Sequence, residues 1–350
     1  MSVFLVNGLL ALLLVTATIP DVMARGSSGS LVMDQELPPK KCRYSKAYSM
    51  LQVRCTNLDL EGIPQDLKSD IQVLDVSVNR LRELTNESFV PYKSLAYLYL
   101  GDNFIHSIQE AAFANQHYLQ VLDLSKNGCD DLPRDLFHLP YLRKVYLADN
   151  KLNDFAFYRR EVKSPLQYLQ LAKNKLCKLP EIGPLPTLLH LNVSDNLITG
   201  ITTEELASFC SLEVLDLSKN PIKFDSKNCE CQTIDGWLKL RGIRAKPPIN
   251  CTEDGNSVCS PVSFSNRTLE LYEQCSDILR LKIETEKARN TWILVACCVA
   301  GFIFCLFVGL FCVHKRNKKR KRKLKEEQRL AVNNANTELL NSNLNRPENT

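Results

Sequence analysis

The hydrophobic positions of this chain follow a spacing that suits neither an amphipathic helix nor an alternating strand. In LEVLDLSKNPI, which begins at Leu212, the apolar residues are separated first by three and then by two positions, and an Asn follows them. A helix would repeat its apolar residues at intervals of three and four, and a half-buried strand at every second position. The same skeleton begins at seven positions, Ile71, Leu95, Leu119, Leu142, Leu166, Leu188 and Leu212.

The seven copies follow one another at intervals of 22 to 24 residues, and this interval and consensus resemble those of the leucine-rich repeat. The pattern therefore predicts an α/β leucine-rich-repeat solenoid whose short strands stack into a parallel sheet on the concave face. In each copy an Asn follows the strand, where its amide is expected to satisfy backbone groups of the turn. These residues are Asn79, Asn103, Asn127, Asn150, Asn174, Asn196 and Asn220.

Two cysteine-containing segments flank the repeats and resemble the caps of extracellular leucine-rich-repeat proteins. The first contains CTNLDLEGIPQDL, and the second contains CEC, then Trp237, then CSPVSFSNRTLELYEQC. The resemblance implies one disulfide in the first cap and two in the second. The implied pairs are Cys42 with Cys55, Cys229 with Cys259, and Cys231 with Cys275. The pairing of four further cysteines is left open, namely Cys129, Cys177, Cys210 and Cys251.

Apolar runs near the two ends of the chain predict a secreted N-terminal region and a membrane anchor. The run near the N-terminus is short and is followed by Val22 and Ala24, which suit the positions before a signal-peptide cleavage site. The run from Ile293 to Val313 has 21 residues without a charge, and a helix of that length crosses about 30 Å of hydrocarbon. Lys and Arg follow this run directly, so the C-terminal side is expected in the cytoplasm.

These features predict a division of the chain into eight segments. The predicted segments are a signal peptide (1–24), a flexible linker (25–41), an N-terminal cap (42–70), seven repeats (71–222), a C-terminal cap (223–276), a stalk (277–292), a single transmembrane helix (293–313) and a basic, disordered cytoplasmic tail (314–350).

The positive net charge of +5 comes from the predicted tail, where 11 Lys and Arg against 4 Glu give +7. Asp21 is the one charged residue of the predicted signal peptide, so residues 25–313 carry a net charge of −1. The ectodomain therefore offers no basis for binding nucleic acid. The basic run from Lys315 to Lys325 is explained by membrane orientation alone, and it is also able to attract anionic lipid.

The secretory route also predicts glycosylation of the ectodomain. Four N-x-Ser/Thr sequons precede the apolar run, at Asn86, Asn192, Asn250 and Asn266. Asn192 lies within the strand of its copy and is expected on the concave face, where a bulky glycan would obstruct the sixth and seventh copies. A protein ligand is therefore expected toward the N-terminal half of the face.

The outward strand positions of the concave face are the candidate binding residues. Tyrosine is enriched at interfaces, although aromatic residues also suit strands in general. The candidate ligand-binding residues are Tyr97, Tyr99, Lys144, Tyr146 and Tyr168.

Catalytic and metal-binding patterns do not emerge from the sequence. The five His residues are scattered, and there is no Gly-rich phosphate loop or G-x-S-x-G motif. A zinc site is disfavoured because its cysteines usually come as C-x-x-C pairs and the predicted compartment is oxidising. We therefore expect no enzyme activity, no cofactor and no metal.

The layout of capped repeats, one span and a short tail resembles that of neuronal and synaptic leucine-rich-repeat adhesion receptors. The resemblance implies a single-pass type I protein of the plasma membrane, with an extracellular N-terminus, that binds an extracellular protein ligand or cell-surface receptor in cell adhesion or synapse organisation in the nervous system. Two alternatives stay open, a co-receptor that captures a secreted growth factor or guidance cue, and innate recognition of microbial ligands. A homodimer is neither indicated nor excluded.

Overall fold

The computed structural model describes residues 41–158, 160–224, 229–251 and 263–344. The predicted signal peptide and all but the last residue of the predicted linker lie outside these residues. The strands join into one ten-stranded sheet and a separate two-stranded sheet.

The ten-stranded sheet begins with an antiparallel hairpin and continues as a parallel stack. The hairpin consists of β1 (Arg43–Ala47) and β2 (Met50–Arg54), and β2 pairs in parallel with the strand of the first repeat. The remaining strands are β3 (Val73–Asp75), β4 (Glu83–Leu84), β5 (Tyr97–Tyr99), β6 (Ser107–Ile108), β7 (Val121–Asp123), β8 (Lys144–Tyr146), β9 (Tyr168–Gln170), β10 (His190–Asn192), β11 (Val214–Asp216) and β12 (Arg244–Lys246). Strands β4 and β6 form the small sheet. Each of the seven repeats contributes one three-residue strand to the large sheet, which confirms the predicted solenoid.

Within the described residues, helices lie in the segments between strands and in the C-terminal part. They are α1 (Thr203–Ala207), α2 (Glu230–Arg241) and α3 (Asn266–Leu344), with two 3-10 helices at Arg134–His138 and Asp154–Ala156. Helix α1 begins with a capping box, in which Thr202 and Glu205 each accept a hydrogen bond from the backbone N–H of the other.

The core lies behind the sheet and extends through all repeats. The central residue of each repeat strand, from Leu74 to Leu215, is buried, and so is the apolar residue two positions later. On the side away from the sheet, phenylalanines fill the space between the connecting segments, and the rings of Phe89 and Phe113 stack 5.8 Å apart. No repeat buries these residues alone, because each apolar face is covered by the neighbouring repeats.

The seven repeat asparagines join each repeat to the one before it. Asn150 is typical, since its Oδ1 accepts a hydrogen bond from Cys129 N–H at 3.1 Å. Its Nδ2 donates to Leu124 O of the preceding repeat at 3.0 Å and to Leu147 O of its own repeat at 3.1 Å. Each of the other six makes the same three kinds of bond, as the sequence predicted.

The residue before each of these asparagines has a left-handed backbone. Six of the seven are Asp or Lys, but the first is Val78, with φ of 58° and 47% of its surface exposed. A β-branched residue is disfavoured in this region because its side chain crowds the backbone. Val78 is therefore a strained residue in the first repeat.

The N-terminal cap is closed by a disulfide between Cys42 and Cys55. In the C-terminal cap, the predicted pairing of Cys231 with Cys275 is wrong. Cys231 pairs with Cys251, and Cys275 pairs with Cys210.

The pairing of the C-terminal cap follows from the packing of its helices. Helix α1 packs against the start of α3, where the hydroxyls of Thr203 and Thr268 lie 2.9 Å apart, and this brings Cys210 to Cys275. Cys229 is also disulfide-bonded. Its predicted partner, Cys259, lies outside the described residues.

Aromatic residues complete the core of the C-terminal cap. Trp237 on α2 is fully buried, and its ring meets the edges of Phe264 at 5.0 Å and Tyr272 at 5.6 Å. The guanidinium of Arg241 lies 3.6 Å from the centre of the Tyr272 ring and 4.7 Å from that of Trp237. These contacts fix α2 against α3 through packing and cation–π attraction.

Helix α3 is unbroken for 79 residues, from the cap through the apolar run and onward. The part between Asn266 and Thr337 is long and apolar enough to cross a membrane, with a mean hydropathy of 2.9 in its most apolar window. The predicted stalk and transmembrane helix are therefore parts of one helix.

The predicted tail is helical from residue 314 to residue 344, where the sequence analysis expected disorder. This segment contains no Gly or Pro and is rich in Lys, Arg, Glu and Leu, which have high helix propensity. Helix propensity in this segment therefore outweighs the polarity that favours disorder.

We predict that Asn150→Ala destabilises the protein by about 3 kcal/mol, because it leaves the buried N–H of Cys129 without its acceptor and removes one of the two asparagine hydrogen bonds at each of Leu124 O and Leu147 O. Asn115 is exposed, so Asn115→Ala is the control and should change stability by less than about 0.5 kcal/mol. Urea unfolding of the purified full-length chain measures both. Equal stability of the two variants would contradict a structural role of the amide.

We further predict that Val78→Asn stabilises the protein by about 0.5–1 kcal/mol, since Asn tolerates the left-handed region better than Val. Asp102→Asn is the matched control, because Asp102 holds the same conformation in the next repeat with φ of 56°. Its stability should be unchanged. The unfolding midpoint of each variant provides the comparison, and a lower midpoint for Val78→Asn would show that the strain is outweighed by contacts of the valine.

Candidate ligand-binding face

The side of the large sheet that faces away from the core, called the concave face here, carries two rows of side chains. In-register parallel pairing places the first residue of each repeat strand beside the first residue of the next, and the last residues likewise. The first row is Val73, Tyr97, Val121, Lys144, Tyr168, His190 and Val214, and the second row is Asp75, Tyr99, Asp123, Tyr146, Gln170, Asn192 and Asp216. All five predicted binding residues lie on this face.

Two of the four tyrosines in the two rows pack against aromatic neighbours. The rings of Tyr146 and Tyr168 lie 5.2 Å apart, and Tyr168 lies 5.8 Å from the ring of His190. All four tyrosines are half-buried, whereas Lys144 is exposed. A ring that is already partly immobilised by its neighbours loses little side-chain entropy when a binding partner covers it.

The predicted binding residues do not include His190, although it belongs to the same aromatic run. The sequence feature that indicates His190 is its outward position in the strand that follows the strand of Tyr168. The cross-strand register alone shows that the aromatic run extends from the fourth repeat into the sixth.

The pKa values of two tyrosines report the surroundings of the second row. Partial burial raises the pKa of Tyr99, and Tyr97, Asp123 and Asp75 add to the effect. Partial burial also raises the pKa of Tyr146, with additions from Tyr168 and Asp123. Both phenols therefore keep their protons at neutral pH and are able to donate hydrogen bonds.

Acidic and amide residues of the second row also shape the turns that follow the strands. Asp123 Oδ1 accepts a hydrogen bond from Ser125 N–H at 2.9 Å, and Asn192 Oδ1 accepts one from Ser194 N–H at the same distance. Asp75 and Asp216 bond to Ser77 and Ser218 in the same way. A carboxylate and an amide are thus interchangeable for this structural purpose.

The residue two positions after each member of the second row is small in every repeat. These residues are Ser77, Gly101, Ser125, Ala148, Ala172, Ser194 and Ser218. These small residues form a line along one side of the concave face, called the low strip, and the tyrosines project beyond it.

Three of the four predicted glycosylation residues lie at exposed positions away from the repeat strands, namely Asn86, Asn250 and Asn266. Asn192 is the last residue of β10 and is half-buried on the concave face, as the repeat pattern predicted. Its Oδ1 is engaged by Ser194, and the Nδ2 atom to which a glycan would be joined makes no hydrogen bond within the described part of the chain.

Two cysteines remain unpaired among the described residues that precede the apolar run. Cys129 occupies a core position, and burial raises the pKa of its thiol to about 12. Cys177 is exposed. Over the described ranges, no three His, Cys, Asp or Glu side chains are arranged to hold a metal ion.

By its fold the chain is a leucine-rich-repeat solenoid with disulfide-bonded caps and one apolar helix that fits a single membrane span. Residues 93–152 match the family model described as "Leucine rich repeat". Tsukushi of Gallus gallus is 32% identical over 184 residues, which cover 50% of this chain and 48% of that protein. Toll-like receptor 2 of Homo sapiens is 26% identical over 256 residues, covering 71% of this chain and 29% of that protein.

The chain spans about half the length of the Tsukushi proteins that it matches. Among solved structures, that of human 5T4 (Wnt-activated inhibitory factor 1, Trophoblast glycoprotein) is similar over 63% of this chain and 94% of that chain. Its sequence identity to this chain is 22%, with a TM-score of 0.45.

Proposed function

We propose that this protein is a single-pass type I receptor of the plasma membrane that binds an extracellular protein through its concave face, in cell adhesion or synapse organisation. The supporting observation is the set of four half-buried tyrosines on one face of the parallel sheet, of which Tyr146 and Tyr168 pack 5.2 Å apart. This chain is similar over 71% of its own length to Toll-like receptor 2, which is by name a receptor. The neuronal setting is supported by the resemblance of the layout to neuronal and synaptic adhesion receptors.

The membrane topology is part of this proposal. The repeats and their caps precede the apolar segment of α3, and this part of the chain contains the disulfides, which form in an oxidising compartment. The basic run Lys315–Lys325 follows the apolar segment directly, which favours a cytoplasmic C-terminal side. Each Lys or Arg close to an anionic leaflet gains roughly 1 kcal/mol, so this run is proposed to bind acidic lipid headgroups.

The binding proposal is tested with the full-length chain displayed on cells. A library of secreted proteins and receptor ectodomains, each in multivalent soluble form, is applied to these cells, and a specific hit is then measured against variants. We predict that Tyr97→Ala combined with Tyr146→Ala weakens binding at least 30-fold, because central interface tyrosines often contribute about 2 kcal/mol or more.

The matched control for the tyrosine pair is Tyr118→Ala combined with Tyr141→Ala. These two rings are also neighbours, 6.3 Å apart, and are exposed, but they lie outside the repeat strands. Binding should stay within about twofold of wild type. Loss of ligand binding in the control variant alone, or in neither double variant, would reject the concave face as the binding surface. A ligand anchored in a facing membrane supports adhesion, and a soluble factor as the sole ligand favours the co-receptor alternative.

The proposed glycan on Asn192 gives a separate prediction. Peptide mass spectrometry of protein from mammalian cells should find Asn192 occupied, and Asn192→Gln should leave binding of the ligand equal or stronger, because the ligand lies toward the N-terminal half. Asn86→Gln, at an exposed position off the concave face, is the control. Weaker binding for Asn192→Gln alone would show that the ligand reaches the sixth repeat.

A further inference from the structure

Asp123 occupies a notch near the middle of the concave face. In the second row it lies between Tyr99 on β5 and Tyr146 on β8. On the low strip beside it are Gly101 and Ala148. A Cβ at Gly101 would lie 3.6 Å from each carboxylate oxygen of Asp123, so the absence of a side chain there leaves the carboxylate uncovered on that side.

Asp123 differs from the other two aspartates of its row in its charged neighbours. The carboxylate of Asp75 lies 3.6 Å from the guanidinium of Arg54 on β2. Asp216 is in register with Lys246 on β12, and its Oδ1 also accepts a hydrogen bond from the hydroxyl of Ser218. No ion pair involves Asp123 in the described ranges, and its neighbours in the row are two neutral phenols.

The walls of the notch suit a flat, positively charged group. The strands of Tyr99 and Tyr146 are two positions apart in the sheet, so their backbones are separated by about 9.5 Å, which leaves room for a planar group between the two side chains. Aromatic faces attract cations, and a carboxylate at the base would pair with one. Because Asp123 contributes to the raised pKa of both phenols, the three side chains are close enough to interact electrostatically.

We propose that Tyr99, Asp123 and Tyr146 form a subsite that binds an arginine side chain of the protein ligand. Arginine is favoured over lysine because its planar guanidinium stacks on aromatic rings and pairs with a carboxylate through two parallel hydrogen bonds. This inference rests on the proposed function and specifies the chemistry of the partner. It adds Asp123 to the binding residues that the sequence suggested.

Lys144 supplies an internal check on the placement of the guanidinium. It belongs to the other row on β8, the strand of Tyr146, and is diagonal to Asp123 in the pairing of β7 with β8. A bound arginine would therefore have Lys144 as a nearby like charge. Removing that charge should strengthen binding of arginine, whereas damage to the fold would weaken it.

The experiment uses the full-length chain in nanodiscs of phosphatidylcholine, which carry no net charge. The probe is a fluorescent decapeptide of alternating Gly and Arg, and the reference is the same peptide with citrulline, which is uncharged, in place of every Arg. Fluorescence polarisation should show at least tenfold tighter binding of the arginine peptide. Asp123→Asn should remove this preference, and Lys144→Gln should increase it at least twofold.

Two controls separate the subsite from general electrostatics. Asp216→Asn removes the same charge from the same row and should change the preference by less than twofold. Lys151→Gln removes an exposed charge outside the strands and should also leave it unchanged. The Asp123→Asn variant should fold, since Asn192 makes the same bond to the following serine at the corresponding position.

Equal binding of the two peptides, or equal losses for Asp123→Asn and Asp216→Asn, would overturn the subsite. If the tyrosine pair is nevertheless required for a protein ligand found on cells, the proposed function holds and the arginine subsite alone fails. If the peptide preference depends on Asp123 but the tyrosine pair is dispensable for the protein ligand, the subsite exists and the proposed use of the face fails.

Discussion

The structure depends on the satisfaction of backbone polar groups where each chain segment leaves the sheet. At this turn the backbone changes direction and its buried N–H and C=O groups cannot join a ladder, and leaving them unpaired would cost several kcal/mol. The asparagine of each repeat supplies an acceptor and a donor at that point. Its Nδ2 reaches a carbonyl of the preceding repeat and one of its own, so that Leu100 O, for example, accepts from both Asn103 and Asn127. The amides thereby form a continuous series along the solenoid.

This series fixes the register of the strands and so decides what lies on the concave face. Each strand has only three residues, which is too short to hold its position by its own hydrogen bonds. Once the asparagines fix the length and register of each repeat, the middle strand residue is buried and the two flanking residues face the concave side, where all of them except Val73 are at least partly exposed. The tyrosines are thus placed by a scaffold in which other residues occupy the same positions of other repeats, and at the Asp123 position the turn needs only an Asp or Asn oxygen, so the choice between them is free to serve recognition.

The repeat, the strand positions and the outward residues could be predicted because each depends on a local spacing that recurs seven times. The pairing of the cap cysteines could not be predicted in this way. The bond between Cys210 and Cys275 depends on how α1 packs against α3, a contact between segments 65 residues apart that leaves no periodic trace in the sequence. For a similar reason, the sequence does not show that Asp75 has an ion-pair partner and Asp123 has none in the described residues. The partner of Asp75, Arg54, comes from the N-terminal cap.

The same disulfide also links the repeats to the proposed membrane anchor. Cys275 lies near the start of α3, and residues 266–300 contain neither Gly nor Pro, the residues at which helices most often bend sharply. The predicted stalk is therefore not a flexible tether. Over the 18 positions from Cys275 to Ile293 the helix rises about 27 Å without a hinge residue. A load placed on the concave face by a bound protein then passes through a covalent bond into a single helix, and reaches the apolar segment with no flexible linker to absorb it.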